Sequence, residues 1–234
     1  MKCIKAVVNI NCRYCCGKLI RFGTAKSCQR YRCKDCNRTQ LHEYVRRAYD
    51  LLTDNNIAIF VKEGCGIRSI SRILGISTGT VMARIKKIAS QIIKPVIITG
   101  GTSEVDELRT YVKNKKEDYW VMYAVDKHTG VVMDVEVGKR NKINLGKVVR
   151  TLLLSNCKQI YTDGLTIYRH LIPYGLHKVQ RYGTNKIERM NLCLRTHLKR
   201  LNRRTICFSK SIPLLKACLE IYFWYRSPTG FRYC

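Results

Sequence analysis

The chain has 234 residues, 46% of them hydrophobic, and a formal net charge of +28. That is enough apolar material for a core, which excludes wholesale disorder, and a charge balance that calls for a polyanionic partner. No apolar run is long enough to span a membrane, and the opening "MKCIKAVVNINC" has too short an apolar stretch for a signal peptide. A cytoplasmic, nucleoid-associated location and a nucleic-acid partner are therefore expected, because each phosphate neutralised by Lys or Arg releases condensed counterions.

Residues 1–43 fit a small metal-held module. Thirteen cysteines without an export signal do not read as a disulfide framework, but four have ligand spacing: Cys12-x-x-Cys15 and, seventeen residues on, Cys33-x-x-Cys36. Each pair can form a tight knuckle, and two knuckles complete a tetrahedral Zn²⁺ site. The intervening "KLIRFGTAKSCQRYRCK" reads as short strands with a Gly turn, a zinc ribbon, in which Lys18, Arg21, Lys26, Arg30, Arg32, Lys34 and Arg38 alternate with Phe22 and Tyr31. Cys16 and Cys28 are nearby spares, so the choice of ligands rests on spacing.

Residues 44–93 read as helical. In "IRSISRILGISTGTVMARIKKIA" the apolar positions Ile70, Ile73, Leu74, Ile76, Val81 and Ile85 are interrupted at Gly75, and Ser77 is a good N-cap for a second helix. This is a helix-turn-helix pattern, expected to offer Thr78, Thr80, Met82, Arg84 and Lys87 to the major groove. Residues 94–103, with Pro95 and Gly100-Gly101, read as a linker.

Residues 104–226 change character. Three strands, "EVDELRTYVK", "YWVMYAVD" and "GVVMDVEVG", are expected with connections "NKKED" and "KHTG". A helix over 143–154, a strand "KQIYTD", a helix near 165–172, a short strand around 176–180 and helices over 184–201 and 212–225 follow, before a tail at 227–234. Three antiparallel strands followed by alternating helix and strand predict a mixed α/β sheet, ribonuclease-H-like if the first and fourth strands are neighbours.

The acids are unevenly placed. From Lys139 onward the chain has twenty Lys/Arg but only Asp163, Glu188 and Glu220 as acids. A basic surface that grips DNA gains from acids only where cations turn them into an attractive site. In a ribonuclease-H-like sheet an aspartate of the first strand would lie beside Asp163, with Glu188 brought over both by its helix. Three such acids require divalent metal, and oxygen-only ligands suit Mg²⁺ or Mn²⁺. Asp106 is the candidate on the first strand, although Glu107, which alternation points to the other face, and Asp126 are rivals. Arg195, two helical turns after Glu188, could hold a phosphate near the metals, with Lys199 and Arg203 extending the track.

At these residues the chain resembles the insertion-sequence-one family of DDE transposases, in its fused single-frame form. The likeness is carried by "VDELRTYVKNKKEDYWVMYAVDKHTGVVMDVEVGKR", "YTDGLTIY", "TNKIERMN", "LRTHLKRLNRRTICFSKS" and the Cys/helix-turn-helix front end. The resemblance implies a ribonuclease-H-like core with Asp106, Asp163 and Glu188 as first, second and third catalytic acids, and the 24 residues between the last two agree with the family's spacing. It implies Mg²⁺ dependence, recognition of terminal inverted repeats, strand cleavage and strand transfer by two metals, and a homo-oligomer on element ends and target DNA. Leu108-Arg109, where family members often carry an aromatic residue, departs from the pattern and bears on packing or DNA contact. The competing reading is a catalytically idle, sequence-specific DNA-binding protein.

Overall fold

The computed structural model describes residues 11–25, 28–42, 52–95, 99–180, 183–202 and 204–226. The chain divides into two compact units, Met1–Arg47 and Ala48–Cys234. Lys26, Arg203 and the tail at 227–234 lie outside the described residues.

In the first unit, β1 (Leu19–Ala25), β2 (Cys28–Cys33) and β3 (Thr39–Leu41) form an antiparallel sheet in the order β1-β2-β3. Its described residues bury almost nothing apolar besides Cys12 and Cys33. So small an apolar core does not hold a domain of this size by packing alone.

The second unit begins with α1 (Thr53–Lys62), α2 (Ile67–Leu74) and α3 (Thr78–Ser90). Gly75 ends α2 in the left-handed region, φ 62°, where a Cβ would be disfavoured. Ser77 then caps α3 by accepting from the Thr80 N–H at 3.0 Å. The apolar stripes of the three helices, Ile57, Val61, Ile70, Val81, Ile85 and Ile88, close around Leu214, Ala217, Cys218 and Ile221 of α7 (Ile212–Trp224). The opposite side of α7 buries Leu215, Leu219 and Tyr222 against the sheet. α7 is thus apolar on two sides, with the half-buried Lys216 and Glu220 on the third, and it joins the three helices to the sheet in one unit where the sequence suggests a boundary at 93/94.

The sheet contains β4 (Thr102–Val112), β5 (Asn114–Asp126), β6 (Val132–Gly138), β7 (Gln159–Thr162) and β8 (His177–Val179), in the order β6-β5-β4-β7-β8. The first three strands are antiparallel, while β7 runs parallel to β4 and β8 parallel to β7. This is the ribonuclease-H-like arrangement. One face is covered by α4 (Lys142–Leu154) and α5 (Thr166–Leu171), whose Leu145, Val148, Val149, Leu152 and Tyr168 meet Val105, Met122 and Ala124. The other face is covered by α6 (Asn185–His197) and α7, whose Ile187, Leu194, Leu215 and Leu219 meet Leu108, Val121 and Tyr123.

Two expectations differ in detail. "NKKED" is not a loop: Lys113 alone, at φ 68°, reverses the chain, so Asn114 already pairs with Val112 and the segment extends β5. The helix expected over 184–201 stops at His197, and Lys199–Leu201 form a 3-10 turn. Among the described residues no helix is long and apolar enough to cross a membrane.

Candidate active site and metal-binding clusters

The β4–β7 register pairs Thr102 with Gln159 and Glu104 with Tyr161. Continued by two residues it sets Asp163 beside Asp106. There β7 has ended and the chain turns away through Gly164, φ 89°, with Asp163 Oδ1 accepting the Leu165 N–H at 3.0 Å. β4 runs on with no partner on that side until Val112 bridges Ser209. Side chains from both of its faces can converge at this open edge, which is why Glu107 joins the site although its carboxylate lies against Arg140 of the opposite face. Carboxylate oxygens of Asp106, Glu107 and Asp163 all lie within 4.8 Å of one another.

Glu188 stands outside that cluster. It is exposed in the first turn of α6, where its Oε1 accepts the Thr184 hydroxyl at 3.1 Å. The direct link between α6 and Asp106 is Asn191, whose Nδ2 donates to Asp106 Oδ2 at 2.7 Å and whose Oδ1 accepts from Tyr123 Oη at 2.8 Å. No pattern in the sequence marks Tyr123, whereas Asn191 lies one turn after Glu188 on the same side of the helix, a spacing that points to it.

Burial, then the Asp163 and Glu188 carboxylates, hold the Asp106 carboxyl above its usual range, against the Glu107 N–H and the Asn191 amide. Glu107 is raised likewise, first by burial and then by Asp163 and Asp106, with Tyr168 and Arg140 opposing. The Tyr168 hydroxyl comes close enough to favour the carboxylate, yet Tyr168 Oη and Glu107 Oε1 are buried without completing a hydrogen bond. Arg140 is the cation at the site, Nη2 lying 3.2 Å from Glu107 Oε2 and 4.0 Å from Asp163 Oδ2. Three crowded carboxylates facing one guanidinium are an oxygen-only donor set short of positive charge, which fits a divalent cation of the Mg²⁺ or Mn²⁺ kind.

A fourth acid, Glu104, fixes the helix rather than joining the cluster. Its side chain is 1% exposed; Oε2 accepts the Ile187 N–H at 2.8 Å, satisfying an otherwise orphan donor in the first turn of α6. Lys127 Nζ, 3.5 Å from Glu104 Oε1, donates to the Gly183 carbonyl at 2.6 Å.

The basic residues expected to contact DNA divide into several groups. Arg195 is half-buried on α6, Lys199 is exposed on the 3-10 turn, and Arg203 lies outside the described residues. On α3, Thr78 and Lys87 are exposed, whereas Thr80 is engaged in the Ser77 cap and Arg84 is bound to Asp54 of α1 at 3.1 Å. The outward stripe is Gly79, Met82, Ala83, Lys86 and Ser90. The 3.6-residue period opposite Val81, Ile85 and Ile88 could have found Lys86; choosing every second residue could not.

In the first unit the Sγ atoms of Cys12, Cys15, Cys33 and Cys36 also lie within 4.8 Å of one another, with 3.6 Å between Cys12 and Cys36 and 3.4 Å between Cys15 and Cys33. Sulfurs about 2.3 Å from one tetrahedral ion stand roughly 3.8 Å apart, so the cluster could hold such an ion. The two knuckles are alike. The Cys12 N–H donates to Gly17 O at 3.0 Å and the Cys33 N–H to Arg38 O at 2.9 Å, with Cys16 and Asn37 both left-handed. Burial raises the Cys12 thiol, but the Tyr14 and Cys15 N–H groups and the neighbouring thiols outweigh it and bring it to about 7. Despite the Gly17 N–H, the thiols of Cys33 and Cys36 push Cys15 up to about 12. Beside the cluster, Arg30 and Arg32 stand over the exposed Phe22 ring at 4.9 and 5.4 Å.

Residues 96–226, more than half of the chain, match the model of the IS1 transposase family. Similar proteins include the insertion element iso-IS1n protein InsB of Shigella dysenteriae, 34% identical over 47% of this chain and 85% of that protein. The insertion element IS1 protein InsB of Shigella sonnei is 36% identical over 48% and 86%, and the IS1 4 protein InsB of Escherichia coli K12 is 36% identical over 48% and 67%. Among solved structures, the simian T-cell lymphotropic virus intasome bound to a PP2A regulatory subunit aligns over 70% of this chain and 66% of that one, with 16% identity and a TM-score of 0.39. The HTLV-2 integrase catalytic core domain with magnesium aligns over 58% and 95%, with 18% identity and a TM-score of 0.37. On the family match and the InsB relatives together, the chain belongs to the IS1 transposase family.

Proposed function

We propose that the protein is a DNA transposase that binds the terminal inverted repeats of its insertion element and cuts and joins strands at Asp106, Asp163 and Glu188. The observation that carries this reading is the parallel β4–β7 register beneath α6, which gathers carboxylates at one open sheet edge in a chain of a transposase family.

In this reading Asp106, Asp163 and Glu188 would hold the divalent cations, with Glu188 leaving the Thr184 hydroxyl to do so. The cations supply Lewis-acid activation of the attacking oxygen and stabilisation of the leaving one. Asn191 keeps Asp106 aimed at the site. Water attacks the phosphodiester at the element end, the bond to the 3′ oxygen breaks, and a 3′-hydroxyl is freed; that hydroxyl then attacks a target phosphodiester in a direct transesterification. Arg195, Lys199 and Arg203 hold backbone phosphates along α6 and beyond it.

The cysteine cluster with Zn²⁺ stiffens the first unit so that its basic strands grip phosphates. α2 and α3 act as a helix-turn-helix, reading base edges from the exposed side of α3. Joining two element ends at one target calls for a homo-oligomer on DNA, acting where the chromosome is.

The test mixes protein, Mg²⁺ and labelled element-end DNA with supercoiled plasmid, beside Asp163→Asn. The proposal expects joined product from the wild type and none from the variant, with end binding retained by both. Retarded DNA with neither cleavage nor joining, in Mg²⁺ or Mn²⁺, would replace it with the reading of an idle DNA-binding protein.

A further inference from the structure

Arg140 follows β6 and presents its guanidinium to two of the three clustered carboxylates, Glu107 and Asp163. Among the described residues it alone forms an ion pair with any member of that cluster. Its geometry is not that of a counter-ion built only for Glu107. Two facing groups with spare atoms pair best as a fork, with two parallel hydrogen bonds. Here one contact forms, Nη2 to Oε2 at 3.2 Å, while Arg140 Nε and Glu107 Oε1 are both buried and complete no hydrogen bond. The guanidinium also lies over the Trp120 ring, with Arg140 Cζ 4.5 Å from the ring centroid. The side chain remains 31% exposed, while that of Glu107 is 1% exposed.

Charge gives this placement a use. When ionised, Asp106, Glu107, Asp163 and Glu188 carry four negative charges, which two divalent cations balance with none to spare. An anionic phosphate is drawn there only by a further positive charge, and Arg140 supplies it from a fixed position.

We propose that Arg140 is a further catalytic residue, donating to a non-bridging oxygen of a DNA phosphate at the carboxylate cluster. The inference rests on the transposase reading above. A guanidinium placed over an indole and only half used by its carboxylate is pre-organised for such a contact, which a flexible ammonium does not reproduce.

The test is a set of element-end duplexes, each with one uncharged methylphosphonate at successive positions around the end and a 3′-dideoxy terminus that blocks joining. Their affinities in Mg²⁺ are compared for wild type, Arg140→Gln and Arg140→Lys, with a thermal melt for each protein. One position should cost the wild type roughly tenfold to a hundredfold in affinity, as loss of a charge-assisted hydrogen bond does. That penalty should vanish in Arg140→Gln and partly return in Arg140→Lys. Should Arg140→Gln fail to fold, Arg140→Lys carries the comparison, with a reduced penalty at the same position expected. Equal penalties at every position in wild type and variants would overturn the proposal. A wild type that binds and joins no element end in ordinary duplexes would overturn the transposase reading itself, and this inference with it.

Discussion

Replacing Glu104 by Ala removes the buried acceptor that holds the start of α6. The Ile187 N–H, now 2.8 Å from Glu104 Oε2, is left unsatisfied, at a cost of about 1–3 kcal/mol. Truncating one partner of a buried ion pair costs about 3–5 kcal/mol when the other charge stays buried. Lys127, however, has a side chain 31% exposed and keeps the Gly183 carbonyl, so most of that cost is relieved by water. The sum is about 3 kcal/mol, or about 6–12 °C in melting temperature for a unit the size of Ala48–Cys234. Glu104→Gln retains an oxygen for the Ile187 N–H and should cost about 1 kcal/mol or less. Thermal melts give the order, and amide exchange gives the place: the first turn of α6 should exchange faster in Glu104→Ala and near the wild-type rate in Glu104→Gln. Because α6 carries Glu188 and Asn191, joining activity should fall further than DNA affinity. A Glu104→Ala protein that melts within a degree of wild type, or a Glu104→Gln protein damaged as much as Glu104→Ala, would refute the reasoning.

Three more outcomes are expected. The raised Asp106 and Glu107 carboxyls stabilise the metal-free fold below their unfolded pKa values, about 4, and that stability is lost as pH rises through the raised folded values. Melting temperature in chelator should therefore decline from mildly acidic to neutral pH; Mg²⁺ or Asp106→Asn should flatten the decline, and equal slopes in all three samples would contradict it. Removing metal from the Cys12/Cys15/Cys33/Cys36 cluster should unfold the first unit, with release, followed by a colorimetric zinc chelator, growing as pH falls and the thiols regain protons. On α3, Lys86→Ala should weaken DNA binding and reduce the slope of log affinity against log salt by about 1, whereas Arg84→Ala should chiefly lower stability by freeing Asp54.

The sheet was legible because alternation and turn residues fix strands locally, and the pairing of the first and fourth strands followed from the order of elements. What could not be read were contacts that depend on register and on where strands stop. Glu107 alternates to the far face as expected, yet joins Asp163 because β7 ends at Thr162, the residue before it. Glu104 looks like one more acid in an acidic stretch; only the approach of α6, remote in sequence, gives it the Ile187 N–H. Lys113 turns the chain by itself because a single left-handed residue suffices, and no residue type announces that at a lysine. Arg84 carries the charge expected of a DNA contact, but a partner thirty residues earlier, Asp54, takes it.

The transposase chemistry depends most directly on which side chains hold divalent metal. Crystals of the protein with element-end DNA, soaked in Mn²⁺ and measured at its absorption edge, locate the ions by anomalous scattering. The account predicts density between Asp106 and Asp163, with Glu188 turned from Thr184 to join them. Ions held by Asp106, Glu107 and Asp163 while Glu188 keeps its bond to Thr184, or no ion at these residues, would contradict it.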